Sequence, residues 1–312
     1  MGGLLTLFPG QGSQAPGMAE HLWGSAAARE AFVEAGDVLG WDIGELCRHG
    51  SMEELTRTDR TQLTILTCSV ATWRALEAVG ATFEVAMGHS LGEYSALVAT
   101  GHMSFADALR VVDVRGRGMQ ACAEQRGGTM SAVIGLEADV LEEICGSLDD
   151  VWLANYNSPG QLVISGSVEA VRKAGELAQE RGAKRVLPLP VSGAFHTPFM
   201  AGAAESLAEA LASVQFKRGA RRFFSTTESR YPAPEELAEV LTKQLMSPVR
   251  FVQSMEALLE SAEAPSEGLE CGPGGVLAGL TKRIARDFKV ASTGDAGSFE
   301  EALMAAKETG GV

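Results

Sequence analysis

Basic residues are scarce in this chain: 26 Lys and Arg stand against 40 Asp and Glu among 312 positions. The net charge of −14 argues against bulk electrostatic attraction to nucleic acid or to an anionic membrane. Cysteine is also sparse. Its five copies (Cys47, Cys68, Cys122, Cys145 and Cys271) are odd in number, far apart and without a C-x-x-C pair. That pattern argues against a disulfide framework or a zinc site and favours a reducing cytoplasm. No long apolar run is present, and the first short one ends at Pro9 without a basic leader before it, so neither a secretory signal nor a membrane span is expected. Repeats and low-complexity stretches are absent. So are G-x-x-x-x-G-K-[ST] and G-x-G-x-x-G, which disfavours a nucleotide-phosphate loop.

Apolar residues are plentiful, at 46% against 21% charged, and 36 Gly with 11 Pro is a globular balance, neither disordered nor collagen-like. The length exceeds the roughly 250–300 residues that one hydrophobic core usually serves, so a large domain with a smaller companion is expected. Short apolar runs at 3–8 and 85–88 read as buried strands, the first leading into Pro9-Gly-Gln-Gly-Ser-Gln14. A helix is expected from Leu91 to Thr100, and another from an N-cap at Ser104 to about Glu124. Between Thr129 and Leu189 the order is βαββαβ, the split ferredoxin-like pattern, bracketed by Gly127-Gly128 and Ser192-Gly193. Strands alternate with helices again afterwards, near 222–225, 268–271 and 289–292. The fold class expected is therefore α/β, a mostly parallel sheet covered by helices with an inserted subdomain. The domains expected are 1–126 with 192–312, interrupted by 127–191.

Gly88-His-Ser-Leu-Gly92 fits G-x-S-x-G, and the strand before it and helix after it are the setting of a nucleophile elbow. Ser90 is the candidate nucleophile. A serine hydroxyl needs a base, and of the five histidines His196 stands in a loop returning from the insertion to the sheet, where catalytic side chains are often presented. On the helix after Ser104, Ala108, Val111, Val112, Arg115, Met119 and Cys122 fall within about 60° of one direction. Arg115 is thus a cation on an apolar face. Its partner is either a protein carboxylate or a substrate carboxylate held bidentately, and the sequence leaves both open. The N–H groups of the Gly10-Gln11-Gly12 loop and of Leu91 could form an oxyanion hole, unless the loop is a plain tight turn. Ten Lys and Arg against five Asp and Glu between Arg172 and Arg230, notably Lys217, Arg218, Arg221 and Arg222, make a candidate dock for an acidic partner or for phosphates.

Phe8-Pro-Gly-Gln-Gly-Ser-Gln14, Gly88-His-Ser-Leu-Gly-Glu-Tyr94, Arg115, Asn157-Ser-Pro-Gly-Gln161, Gly193-Ala-Phe-His-Thr-Pro198, Gln244-Leu-Met-Ser-Pro-Val-Arg250 and Gly272-Pro-Gly-Gly275 occur in this order. Over essentially its whole length the chain resembles the malonyl-CoA:acyl carrier protein transacylases, whose architecture is an α/β-hydrolase-like domain with an inserted ferredoxin-like subdomain. The resemblance implies Ser90 as the acylated nucleophile, His196 as general base and acid, and Gln11 and Leu91 as oxyanion-hole donors. It further implies that Arg115 grips the malonyl carboxylate and that the Gln244 backbone carbonyl orients His196. Met119, Phe195 and Asn157 are placed with the substrate, Phe195 as the bulk that disfavours an α-methyl branch. Phe251 departs from the Trp of many relatives. The implied reaction is malonyl transfer from malonyl-CoA to the phosphopantetheine thiol of acyl carrier protein, with no resident cofactor or metal, in a cytoplasmic monomer. Its length resembles the fatty acid enzyme. The rivals are a serine thioesterase or hydrolase using the same Ser90 and His196, a trans-acting polyketide acyltransferase, and a non-catalytic carrier-binding module.

Overall fold

The computed structural model describes residues 3–191 and 193–309, with side chains to 306; Ser192, one of the expected domain brackets, lies outside the described residues. Five strands form a parallel sheet: β1 (Leu4–Phe8), β2 (Val85–Gly88), β7 (Arg222–Phe224), β8 (Glu267–Glu270) and β9 (Val290–Ser292). Their order is β7-β2-β1-β8-β9. Alternation along the two central strands sends their side chains to opposite faces. Leu5, Leu7, Val85 and Met87 pack with Phe251, Met255, Leu258 and Leu277 on one side, whereas Phe8 and Ala86 join the main core on the other. That core is built largely on the helix Thr58–Glu77, 20 residues long and buried along most of its length. Burial on both faces is why these strands read as short continuous apolar runs.

The insertion forms an antiparallel sheet from β3 (Thr129–Ile134), β4 (Val151–Ser158), β5 (Gln161–Gly166) and β6 (Arg185–Pro188), ordered β4-β5-β3-β6. This is the ferredoxin-like strand order, with the helices Ala138–Gly146 and Val168–Glu180 supplying a separate core around Val133, Leu141, Ile164 and Val171. The opposite face contributes Met130, Ala132, Ala154 and Val163 to the main core, so the subdomain sheet lies against the parallel-sheet domain. Strand β4 is the longest of the four, at 8 residues. Register shifts at Leu153/Asn155 and Tyr156/Ser158 let it continue, placing Asn157 on a strand rather than in the following turn.

Two of the four cations named near residue 220, Arg221 and Arg222, already have acidic partners. Arg222 opens β7, at the end of the sheet opposite to the Gly88 terminus of β2, and pairs with Glu263 and Glu84. Arg221 pairs with Glu77 at 2.7 Å, donates to the Ala99 carbonyl, and lies over the Trp73 and Phe83 rings. Both cations are committed to tying the sheet edge to neighbouring segments. Among the described residues no helix is long and apolar enough to cross a membrane.

Candidate active site

The site is built where β1 and β2 end together. Phe8 is in register with Gly88, so the Pro9–Gln14 loop and the His89–Leu91 turn leave the sheet side by side. The close approach explains the glycines of the G-x-S-x-G motif: a Cβ on Gly92 would lie 2.0 Å from the Phe8 carbonyl oxygen, and one on Gly88 2.0 Å from the Gly92 carbonyl carbon. Between them Ser90 has φ 51°, and His196 has φ 60°; the left-handed region is costly for side-chain-bearing residues. Two of the four non-glycine positive-φ residues described are therefore these two, and the strain aims them at each other. Ser90 Oγ is 2.9 Å from His196 Nε2.

The loop carrying His196 is fixed from both domains. Ser165 of β5 donates to the Phe195 carbonyl (2.8 Å), and Thr197 donates to the Ala194 carbonyl (2.6 Å) while capping the turn at Pro198–Met200. The imidazole Nδ1 faces two backbone carbonyls, Gln244 at 3.0 Å and Ser247 at 3.1 Å, so Nδ1–H donates and Nε2 is left to accept from Ser90. Burial, reinforced by the Arg115 charge, pulls the His196 pKa from 6.5 down to about 3, against the opposing effect of these carbonyls. The ring is neutral at neutral pH, the state a general base requires.

Arg115 enters from the helix Phe105–Arg126, which is capped by Ser104 and buries Val111, Val112 and Met119 on the same face. At 1% exposure it is the largest fully buried side chain. Its partners are neutral: Nη1 donates to Gln62 Oε1 (2.5 Å), and Nη2 to Gln244 Oε1 (3.0 Å) and Ser90 Oγ (3.1 Å). Among the described residues its Nε has no partner, and no carboxylate pairs with it directly. Of the two partners the sequence left open, a direct protein carboxylate is thus not found.

Every candidate residue except Gln244 lines one cavity of about 180 Å³ between the two domains, suited to a short acyl group rather than to the ~300–1,000 Å³ of drug-sized ligands. Gln244 lies behind it, buried. Among the described residues, neither the Gln11 nor the Leu91 backbone N–H donates to a protein acceptor, as befits donors facing a ligand. Met119 Sδ accepts from Gln62 Nε2 at 3.2 Å, and Phe195 is 4% exposed beside the histidine it precedes. Asn157 Oδ1 accepts from His89 Nε2 (2.9 Å), and burial lowers the His89 pKa. Phe251 is fully buried, its ring centroid 5.9 Å from that of His89. Sequence reasoning missed His89, Gln62, the Ser247 carbonyl and Glu93. His89, Glu93 and Ser247 lie inside the motifs quoted above, where their residue types name no role; Gln62 carries no local signal. Among the described residues no three His, Cys, Asp or Glu are grouped to hold a metal.

Residues 6–297 match the model of the acyl transferase domain family. The chain is 41% identical over 308 residues to the malonyl CoA-acyl carrier protein transacylase of Bacillus subtilis (strain 168), covering 97% of this chain and 96% of that protein. The acyl-carrier-protein S-malonyltransferase of Burkholderia pseudomallei 1710b superposes with TM-score 0.92 at 40% identity, over 96% of this chain and 99% of the other. A malonyl-transacylase solved in complex with a type II PKS acyl-carrier protein superposes with TM-score 0.92 at 39% identity, over 97% and 99%.

Proposed function

The chain belongs to the acyl transferase family, among the malonyl-CoA:acyl carrier protein transacylases, and from that premise we propose that it moves malonyl from malonyl-CoA to acyl carrier protein for fatty acid biosynthesis. The observation that carries this reading is the double contact of one hydroxyl. Ser90 Oγ lies 2.9 Å from a neutral histidine and 3.1 Å from a buried guanidinium with no carboxylate partner among the described residues, so nucleophile and anion clamp share one small cavity.

Ser90 Oγ attacks the thioester carbonyl as His196 Nε2 takes its proton, and the Nδ1–H bonds to Gln244 and Ser247 hold the ring in the productive tautomer. The Gln11 and Leu91 N–H groups receive the oxyanion. Arg115 binds the malonyl carboxylate in a desolvated site, with Gln62 and Gln244 fixing the guanidinium plane. Collapse breaks the C–S bond, His196 returns the proton to the departing CoA sulfur, and malonyl remains as an ester on Ser90. The phosphopantetheine thiol of the carrier then repeats the sequence in reverse. No resident cofactor takes part, since the pantetheine arm arrives on the partner. Residues 1–126 and 192–312 make up the catalytic domain, and 127–191 the subdomain that closes the cavity through Met130, Asn157 and Val163. A cytoplasmic location suits the five free cysteines.

Intact mass after brief incubation with malonyl-CoA tests this reading. A malonyl adduct is expected on the parent protein and none on Ser90→Ala, and added acyl carrier protein should discharge it. CoA release without any adduct would instead indicate a hydrolase.

A further inference from the structure

Glu93 is a buried carboxylate beside the cavity that the reaction just described does not use. It follows Ser90 by three residues, in the first turn of the helix Gly92–Thr100, and is 0% exposed. Its Oε1 accepts from Ser225 Oγ (2.9 Å), Thr226 N (2.6 Å), Thr226 Oγ1 (3.1 Å) and Thr227 N (3.2 Å). Its Oε2 accepts from Gln244 Nε2 (2.6 Å) and Thr227 Oγ1 (3.3 Å). Backbone N–H groups only donate, so the Oε1 position must hold an accepting oxygen. At Oε2 the partner that matters is Gln244.

The Gln244 amide is used on every side. Its NH₂ donates to Glu93 Oε2 and to the Ser90 carbonyl (3.1 Å), its Oε1 accepts from Arg115 Nη2, and its backbone carbonyl holds His196. Turned over, the same amide would press an oxygen against two acceptors and an NH₂ against a guanidinium. Resting on the clamp reading of Arg115, we infer that Glu93 is a positioning residue for malonyl selection: its carboxylate holds the Gln244 amide so that the oxygen, not the NH₂, faces Arg115. The arrangement also places the buried anion one amide away from the buried cation. A carboxylate in direct contact would occupy the guanidinium, whereas the intervening amide orients it and leaves donors for the substrate carboxylate.

Glu93→Gln tests the assignment because its outcome is dictated by the donors around it. The new carbonyl must take the Oε1 place, where Thr226 and Thr227 N–H need an acceptor, which sets its NH₂ against the Gln244 NH₂. Relief requires Gln244 to turn over or withdraw from Arg115. The readout is the ratio of kcat/KM for malonyl-CoA to that for acetyl-CoA; a purely structural loss would lower kcat/KM for both donors and leave the ratio unchanged. E93Q should lower this ratio about tenfold, the scale of one charge-assisted hydrogen bond, and should lower it no further in a Gln244→Ala background. An unchanged ratio in folded E93Q, or an equal drop in both backgrounds, overturns the inference. Arg115→Ala run alongside separates the two levels: if it leaves the ratio unchanged, the clamp itself is wrong and the inference falls with it. Should E93Q not fold, Glu93→Asp draws the carboxylate back from Gln244 by one methylene. The ratio must then fall in the parent background and stay constant in the Gln244→Ala one, and any other pattern refutes the role.

Discussion

On the proposed reading, replacing Arg115 by alanine removes the cation that holds the malonyl carboxylate. The guanidinium is 1% exposed and held by Gln62, Gln244 and Ser90, so in the malonyl complex its charge pair is fully desolvated. Breaking such a pair from one side costs about 3–5 kcal/mol, because the partner charge stays buried and uncompensated. At 1.4 kcal/mol per factor of ten, malonyl-CoA should lose about two to three and a half orders of magnitude in kcat/KM. Acetyl-CoA carries no carboxylate, and its transfer should fall only about tenfold, since the reacting groups lose one charge-assisted hydrogen bond, to Ser90, worth about 1.5 kcal/mol at the lower end. The same substitution removes the second-largest cause of the low His196 pKa, so the acid limb of acetyl transfer should move to higher pH. CoA release measured with both donors across pH gives all three quantities. Parallel losses for malonyl and acetyl, or an unmoved acid limb, would refute the reasoning.

The depressed pKa of His196 has a sign that stability must follow. Between the unfolded value of 6.5 and the folded value of about 3 the unfolded chain holds the extra proton, so this group is neutral to folding above pH 6.5 and destabilises the fold progressively as pH falls through that window. Urea midpoints should therefore decline from pH 7 to pH 4 by less in His196→Gln than in the parent, and equal slopes would contradict the burial argument. Phe195→Ala opens space beside the acyl α-carbon and should raise the methylmalonyl-to-malonyl ratio of kcat/KM by about tenfold, the lower end of what a pocket discriminates for one methyl-sized group; an unchanged ratio would remove Phe195 from substrate selection. Arg221→Glu with Arg222→Glu should leave the KM for carrier protein at low salt unaltered, because both cations are spent on Glu77, Glu84 and Glu263 at the far end of the sheet. A raised KM would restore that face as a dock.

The legible part of this protein is the part encoded by neighbours in sequence. Parallel strands such as β1 and β2 appear as apolar runs because both faces are buried, and Gly88 and Gly92 mark a turn that only glycine permits. Helical periodicity likewise placed Arg115 on the buried face of its helix. Periodicity names a face but not what meets it. Gln62 reaches Arg115 across 53 residues, Gln244 reaches Glu93 across 151, and the Ser247 carbonyl reaches His196 across 51. These pairings depend on how distant segments of the parallel-sheet domain pack against one another, which no local pattern reports. The pairing of two cations of the basic run has the same origin, since Arg221 finds Glu77 across 144 residues and Arg222 finds Glu263 across 41. A charge count sees the cations, while their partners come from segments distant in sequence.

The pairing of His196 with carbonyls rather than a carboxylate also bears on why the malonyl-serine should meet a thiol rather than water. Two neutral dipoles stabilise an imidazolium less than an anion does, and the nearby Arg115 guanidinium opposes it outright. His196 is consequently a weak base that cannot hold a proton for long. A thiol with a pKa near ~8.5 surrenders its proton to such a base far more readily than water, whose pKa is about 15.7. Departing CoA takes the proton back just as easily, whereas an amine leaving group, as in peptide hydrolysis, would demand an imidazolium that persists. The features that make the dyad a poor hydrolase therefore leave it adequate for exchanging one thioester for another, and a protonated His196 is worst tolerated when Arg115 has no carboxylate to neutralise it. If Arg115 holds the malonyl carboxylate as proposed, malonyl thereby lowers the cost of the very proton transfer that would load it onto Ser90.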